Sequence, residues 1–445
     1  MKRPDNYSKN RDFLRLIPGV VVIALVVFGI SSCNFPNLGG IFPSISATEI
    51  PGDAIASPTP RPTATQNIPV VQSQTLIIWV PPQFDPAEET TAGNLFLSRL
   101  DDFKERRPQT EIQVRVKPTT GDFSILESLR VTDLAAPLIM PDLIALPRSL
   151  VEQAFRQDLI LPLDGYTDSI IENDWYDFAL DLALVDGEIA GIPFAGDLMV
   201  LAYKDDTGEV PPPDWDAVIS AQATMAFPAA DPRGLVTLAQ YQSVSGELPG
   251  TDPEVLIQEE SLLQVFTYYQ EAQAANVMPY WLTQFETDEQ AWGSYQDRQS
   301  TMAITWSSFI IRGESANTSL AAVPTKEAKP FSYADGWVWC VIPSNLETEQ
   351  EAVELVEFLT NSSYLNIWGG EAGYLPVRPS GLDSWKESPY YITLQQLLPA
   401  AVLLPGNGLL NDLGPEIRDA VISVLKDQIE PAEAMSTFME GIQSP

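Results

Sequence analysis

Apolar residues along this chain fall into short runs of two periodicities, separated by proline, glycine and charged breaks. Thr75–Val80, TLIIWV, is continuous and halted by Pro81-Pro82, which predicts a buried strand. Asn94–Arg107 spaces Leu95, Phe96, Leu100 and Phe103 at helical intervals, with charges opposite and Pro108 as the stop. Ile112, Val114 and Val116 alternate with polar residues, the period-two signature of a strand. Strand, helix, strand opens a βαβ unit, so a parallel sheet with flanking helices is expected. Pro141–Leu146 supplies the next buried strand and Leu150–Leu159 the next helix.

The stretch Gly191–Asp206, GIPFAGDLMVLAYKDD, organises the rest. A Gly-Ile-Pro turn opens an almost unbroken apolar run, Leu198–Tyr203, with Asp197 at its entrance. This pattern predicts a buried strand that crosses between two lobes. Beyond it, helices are expected at Asp216–Gln222, Leu262–Ala275, Glu351–Leu359, Pro415–Lys426 and Pro431–Ile442, with Asn361 as a C-terminal cap. Strands are expected at Thr301–Thr305, Ser319–Val323 and Gly336–Ile342. A chain of 445 residues exceeds what one hydrophobic core usually supports, which agrees with two lobes.

The first residues follow different rules. Lys2, Arg3, Lys9, Arg11 and Arg15 precede the apolar run Leu16–Ile30 and then Ser31-Ser32-Cys33, the layout of an export signal. Ile30–Cys33 also resembles the bacterial lipobox, which implies acylation of Cys33 as a membrane anchor; an uncleaved spanning helix is the alternative. Residues 34–74 are rich in Pro, Ser and Thr, as in SPTPRPTATQ, and read as a disordered tether.

Charge and missing residue types narrow the function. The chain holds 25 Lys/Arg against 60 Asp/Glu, a net charge of −35. Without the first 33 residues the balance is 20 minus 58, or −38. Such a surface repels phosphate backbones and anionic lipid, so nucleic acid is not an expected partner. There is no histidine, which excludes a Ser-His-Asp triad and an HExxH zinc site. Cys340 reads as a small buried hydrophobe, and no cofactor or metal is implied.

In order along the chain, the TLIIWV strand, FKERRPQTEIQV, PDLIALP, LILPLDGY, GIPFAGDLMVLAYKDD, PPPDWDAV, STMAITW, EAVELVEFL and GYLPVR together resemble an extracellular solute-binding protein of an ABC importer, of the maltodextrin-binding and related sugar-binding type. The resemblance covers 75–445. It implies an α/β, two-lobe periplasmic-binding-protein-like fold with three inter-lobe crossings, near Phe194–Asp197, Phe331–Gly336 and Gly373–Arg378. The N-lobe would comprise 75–195 and 337–372, and the C-lobe 196–336 and 373–445. The implied partners are a carbohydrate ligand, ABC permease subunits and, through Cys33, the membrane.

Sugars stack their C–H faces on aromatic rings while polar groups hold the hydroxyls. Trp79, at the carboxyl end of a strand, is a candidate platform. The resemblance adds Gln83 in the following loop, Asp197 at the acidic sugar-contacting position, and Trp306 with Ser307 after the TMAIT strand. Trp337 and Trp339 share a strand face, Tyr374 sits at the third crossing, and Asn411 approaches the last helices. Where maltodextrin-binding relatives carry an aromatic and a charged pair, this chain has Leu146-Pro147-Arg148-Ser149, so the sugar is left open. Competing readings are a cationic solute such as a polyamine, a two-carboxylate glycoside hydrolase, and a surface sensor with the same lobes.

Overall fold

A computed structural model describes residues 74–443 apart from 172–173, 205–209, 250–256 and 314–316. The export signal, Cys33 and residues 34–73 of the expected 34–74 tether lie outside the described residues, and Gln74 begins the first strand. Eleven strands occur among the described residues: β1 (Gln74–Val80), β2 (Thr110–Val116), β3 (Leu143–Pro147), β4 (Leu184–Val185), β5 (Glu188–Ile189), β6 (Ile192–Lys204), β7 (Met225–Ala226), β8 (Met302–Trp306), β9 (Thr318–Ala321), β10 (Ser332–Val341) and β11 (Ala401–Leu403). The main sheet runs β2-β1-β3-β10-β6-β8-β7, with β11 beside β10 and β9 beside β6.

The opening βαβ unit forms as the pattern predicts. β1 pairs in parallel with β2 and β3, and the helix Thr91–Arg106 connects β1 to β2. Thr90 starts that helix by accepting a hydrogen bond from the Gly93 amide. The sheet as a whole is mixed, because β10 runs antiparallel to both β3 and β6. β1 is fully covered along Ile78–Val80, which explains its unbroken apolar sequence.

β6 is the element on which the two halves depend. Residues from Ile192 to Leu198 pair with β10, whereas Met199–Tyr203 pair with β8 and Leu201–Lys204 with β9. One strand thus belongs to two sheet regions and changes partners midway. At the change, Gly196 stands opposite Gly336 of β10. On its other side Gly196 exchanges hydrogen bonds with Leu375, N–H to O at 2.9 Å and O to N–H at 2.8 Å. The segments expected to cross between lobes therefore lie side by side here.

Glycine is needed because the backbones approach too closely for a side chain. A Cβ on Gly336 would sit 2.5 Å from the Ala195 carbonyl oxygen and 2.6 Å from Leu182 Cδ1. Gly373 has φ +77°, and a Cβ there would lie 1.7 Å from Arg312 Cγ.

Two expectations need correction. Asn361 does not end the helix Leu346–Leu359, whose C-cap is Thr360; it caps the start of another helix, Ser362–Glu371, by accepting from the Ser363 amide. The helix expected from Pro415 begins at Asn407, so Pro415 lies inside it. Proline has no amide hydrogen, so the Asn411 carbonyl loses its usual partner four residues on.

Gly336→Val should destabilise the protein by about 1–3 kcal/mol through overpacking. Urea denaturation measures this, and an unchanged midpoint would mean that β6 and β10 can separate at the crossing without cost.

Candidate functional site

Phe84 is the hub of the crossing region. It lies in the short 3-10 turn Pro82–Phe84 that follows β1 and is 5% exposed. Its ring centroid is 5.2 Å from Phe194 of β6, 5.0 Å from Trp337 of β10 and 5.5 Å from Tyr374 of the third segment. One ring therefore joins the segments that meet at Gly196. The Phe84–Trp337 contact is edge-to-face, the arrangement that aromatic quadrupoles favour.

Around this hub the structure brings several expected residues together. Gln83 is exposed and Trp337 half-buried, and the polar groups of both act on the Tyr374 hydroxyl. Burial pushes the Tyr374 phenol up to about 12, against the opposing pull of Arg312, Gln83 and Trp337, so it stays protonated at neutral pH. The Arg312 guanidinium lies 4.8 Å from the Tyr374 ring centroid, in the space that Gly373 leaves open.

Asp197 faces the same region but has a structural task. Its Oδ1 accepts from Ser307 Oγ at 2.6 Å and from the Ser308 amide at 2.9 Å, and its Oδ2 accepts from Ser308 Oγ at 2.5 Å. It ties β6 to the start of the helix Ser307–Ile311. Burial raises its pKa; the two serines and the Arg312 charge pull the other way.

A second carboxylate escaped the sequence reading. Asp335 of β10 stands directly opposite Asp197 in the antiparallel register. Burial foremost, and the Asp197 charge as well, push it up to about 6, against opposing effects of the Gly336 amide, Arg233 and Arg148. Nearby, the Asp288 carboxylate accepts the Trp306 indole N–H at 2.9 Å and lies 3.9 Å from Arg233. Burial pushes Asp288 up to about 6, again partly offset by Arg233 and the indole. Asn411 is exposed one helical turn before Gly414, which packs so tightly on Pro232 and Arg233 that a Cβ would lie 2.1 Å from the Pro232 carbonyl oxygen.

Other expected residues are enclosed. Trp79 is 3% exposed, its ring under the Lys117 ammonium at 4.9 Å. Trp339 is stacked on Phe194 at 4.8 Å and fills the core beside Phe96. Ser307 is fully buried, its hydroxyl accepting from the Leu198 amide while donating to Asp197. These three have no open face for a solute, which corrects the expectation drawn from strand ends and alternation for Trp79 and Trp339 and from the resemblance for Ser307. Tyr374, at 3%, is closed to the same degree, and Trp306 nearly so, at 8%. Arg148 explains the departure after β3. It donates to the Leu182 and Leu184 carbonyls and pairs with Glu152 at 3.2 Å, so it serves the scaffold.

Asp197→Ala should cost about 1–3 kcal/mol of stability, because the Ser307 and Ser308 donors lose their acceptor. Denaturant titration tests this; an unaltered midpoint would show that water replaces the carboxylate freely. Asp288 and Asp335 give a pH dependence. Each binds its proton more tightly folded, with a pKa of about 6, than unfolded, about 3.9. Their contribution is therefore complete below about pH 4 and lost as pH rises through about 6. Asp335→Asn should flatten the fall of the urea midpoint across that window, and an identical slope in the variant would assign the effect elsewhere.

The pattern of bacterial extracellular solute-binding proteins matches residues 98–391. Among solved structures, the chain resembles a cyclic α-maltosyl-1,6-maltose binding protein from Arthrobacter globiformis, with TM-score 0.69 and 16% identity over 83% of this chain and 98% of that one. It also resembles the maltose-binding periplasmic protein of Listeria monocytogenes in complex with maltose, with TM-score 0.68 and 14% identity over 83% and 97%. A cyclo/maltodextrin-binding protein complexed with maltotetraose gives TM-score 0.65 and 17% identity over 83% and 96%. At these identities the likeness establishes the two-lobe α/β fold. The family match extends over most of the chain and takes in β3, β6, β8, β10 and Tyr374, so the chain belongs to the bacterial extracellular solute-binding proteins.

Proposed function

We propose that this protein is a lipid-anchored receptor that captures an oligosaccharide between its lobes and delivers it to an ABC permease, without catalysing any reaction. The observation that carries the reading is the exposed Gln83 amide beside the half-buried Trp337 indole at the crossing, with the enclosed Tyr374 phenol behind them as support. A sugar needs this combination of ring surface and hydroxyl partners. The lobes of this reading are residues 75–195 with 337–372 and residues 196–336 with 373–445. The change of partners along β6, three residues beyond the 195/196 boundary, supports a division within this strand. Cys33 is the acylation site of the reading, on the strength of its place after the Leu16–Ile30 run.

A cationic solute is the second reading. It is favoured by Asp197 and Asp335 standing opposite each other, with Arg233 and Arg148 as the basic groups that act on Asp335. The two readings differ in a titration. Isothermal calorimetry with maltotriose and with spermidine should give heat for the sugar, and Gln83→Ala or Trp337→Ala should weaken it about tenfold or more, that is, at least ~1.4 kcal/mol. Binding of spermidine alone would transfer the assignment to the cation. Release of shorter sugars during the incubation would instead make the protein a hydrolase.

A further inference from the structure

Large apolar side chains are exposed at scattered positions over the protein, but they concentrate in one place. Phe123 is 80% exposed, Val131 54%, Leu134 86%, Leu138 98% and Ile139 55%. All lie on the connection between β2 and β3: Phe123 just before the helix Ile125–Ala135, Val131 and Leu134 on it, and Leu138 and Ile139 on the 3-10 turn Pro137–Ile139. The helix has an ordinary inner face, with Ile125, Leu126 and Leu129 buried. Val131 and Leu134, three residues apart, share an outer face, and Leu138 extends it into the next turn. Exposed apolar side chains gathered in this way mark a contact surface, unlike isolated ones.

We propose that this face rests in the headgroup region of the membrane that carries the protein. Charge is the first argument. Residues 115–140 hold Arg115, Lys117 and Arg130 against Asp122, Glu127 and Asp133, three minus three, so the segment is neutral in a chain of net charge −35. Arg130 and Glu127 further neutralise each other at 3.2 Å. A neutral apolar strip on a strongly anionic protein can approach an uncharged lipid surface. A second copy would bring the full negative charge of another molecule with it.

Position is the second argument. β1 and β3 are parallel, and Leu138 and Ile139 lead directly into the start of β3. The strip therefore ends on the side of the sheet at which the chain enters β1 at Gln74. Only 40 residues separate Gln74 from Cys33, so an acyl anchor there keeps the bilayer within reach of that side. A weak surface contact is then intramolecular in effect and needs little affinity of its own. The inference rests on the lipid-anchor reading given above.

The test uses the full chain, purified after export and reconstituted in phosphatidylcholine vesicles, with a nitroxide on Leu138→Cys. The side chain replaced is almost wholly exposed, Cys340 is buried with its thiol pKa pushed up, and Cys33 carries no free thiol once acylated, so labelling of the anchored protein is confined to the new site. The nitroxide should become more accessible to oxygen than to a water-soluble nickel chelate, while the same label on Ile392→Cys, 64% exposed elsewhere, should report water. Adding Leu134→Glu should return the Leu138 position to water without changing the circular dichroism. A water-like Leu138 label on a protein that floats with the vesicles overturns the surface contact and leaves the anchor standing. Failure to float overturns both. Spin–spin broadening that grows with protein density, without oxygen accessibility, overturns the lipid assignment in favour of a second copy.

Discussion

The fold depends on the close approach of backbone segments at Gly196. β6, β10 and the segment through Leu375 are hydrogen-bonded neighbours there, and two of them meet glycine to glycine. Side chains are excluded from the contact itself and stand around it, with Phe84 touching a ring from each segment. The junction combines narrow backbone spacing with a wide aromatic collar. Pulling the segments apart would break both the hydrogen bonds and the collar, whereas rotation about the junction would spare the hydrogen bonds.

The polar groups near the junction have to serve two purposes. Asp197 spends both carboxylate oxygens on Ser307 and Ser308, and so fixes the helix that carries Arg312. Arg312 then lies against Tyr374 in the gap left by Gly373. A residue on the first crossing thus governs the placement of one that touches the third. Asp335 opposite it receives a single backbone amide and the more distant help of Arg233 and Arg148, and its proton is held correspondingly tighter. The acidity of the chain as a whole acts at the surface, whereas these carboxylates respond to burial first.

Much of this architecture is legible in the order of residues. TLIIWV could only be a covered strand, and the long apolar run after Asp197 marks β6 because no amphipathic helix tolerates such continuity. The helix Ser362–Glu371 is harder to see, since Gly369 and Gly370 sit within it and its apolar residues are few. Asn361 suits either end of a helix, and only the next element decides which. At the site, position along a strand can be counted but the covered face cannot. Trp337 and Trp339 look equivalent, yet β10 has a bulge after Trp337, and only Trp339 is locked into the core. Trp79 and Ser307 are enclosed by segments far away in sequence. Asp335 was out of reach for a related reason: its significance lies in facing Asp197, a register that no local pattern encodes.

The aromatic collar has an optical consequence. Trp337 and Trp368 both lie within 5.5 Å of Phe84, and Trp339 is one stacking contact further, on Phe194. Indole emission depends on local polarity and on neighbouring quenchers, and three of the chain's ten tryptophans stand where the halves join. Any rotation there would be recorded as a change of colour or intensity, and the unmodified protein carries its own gauge of closure.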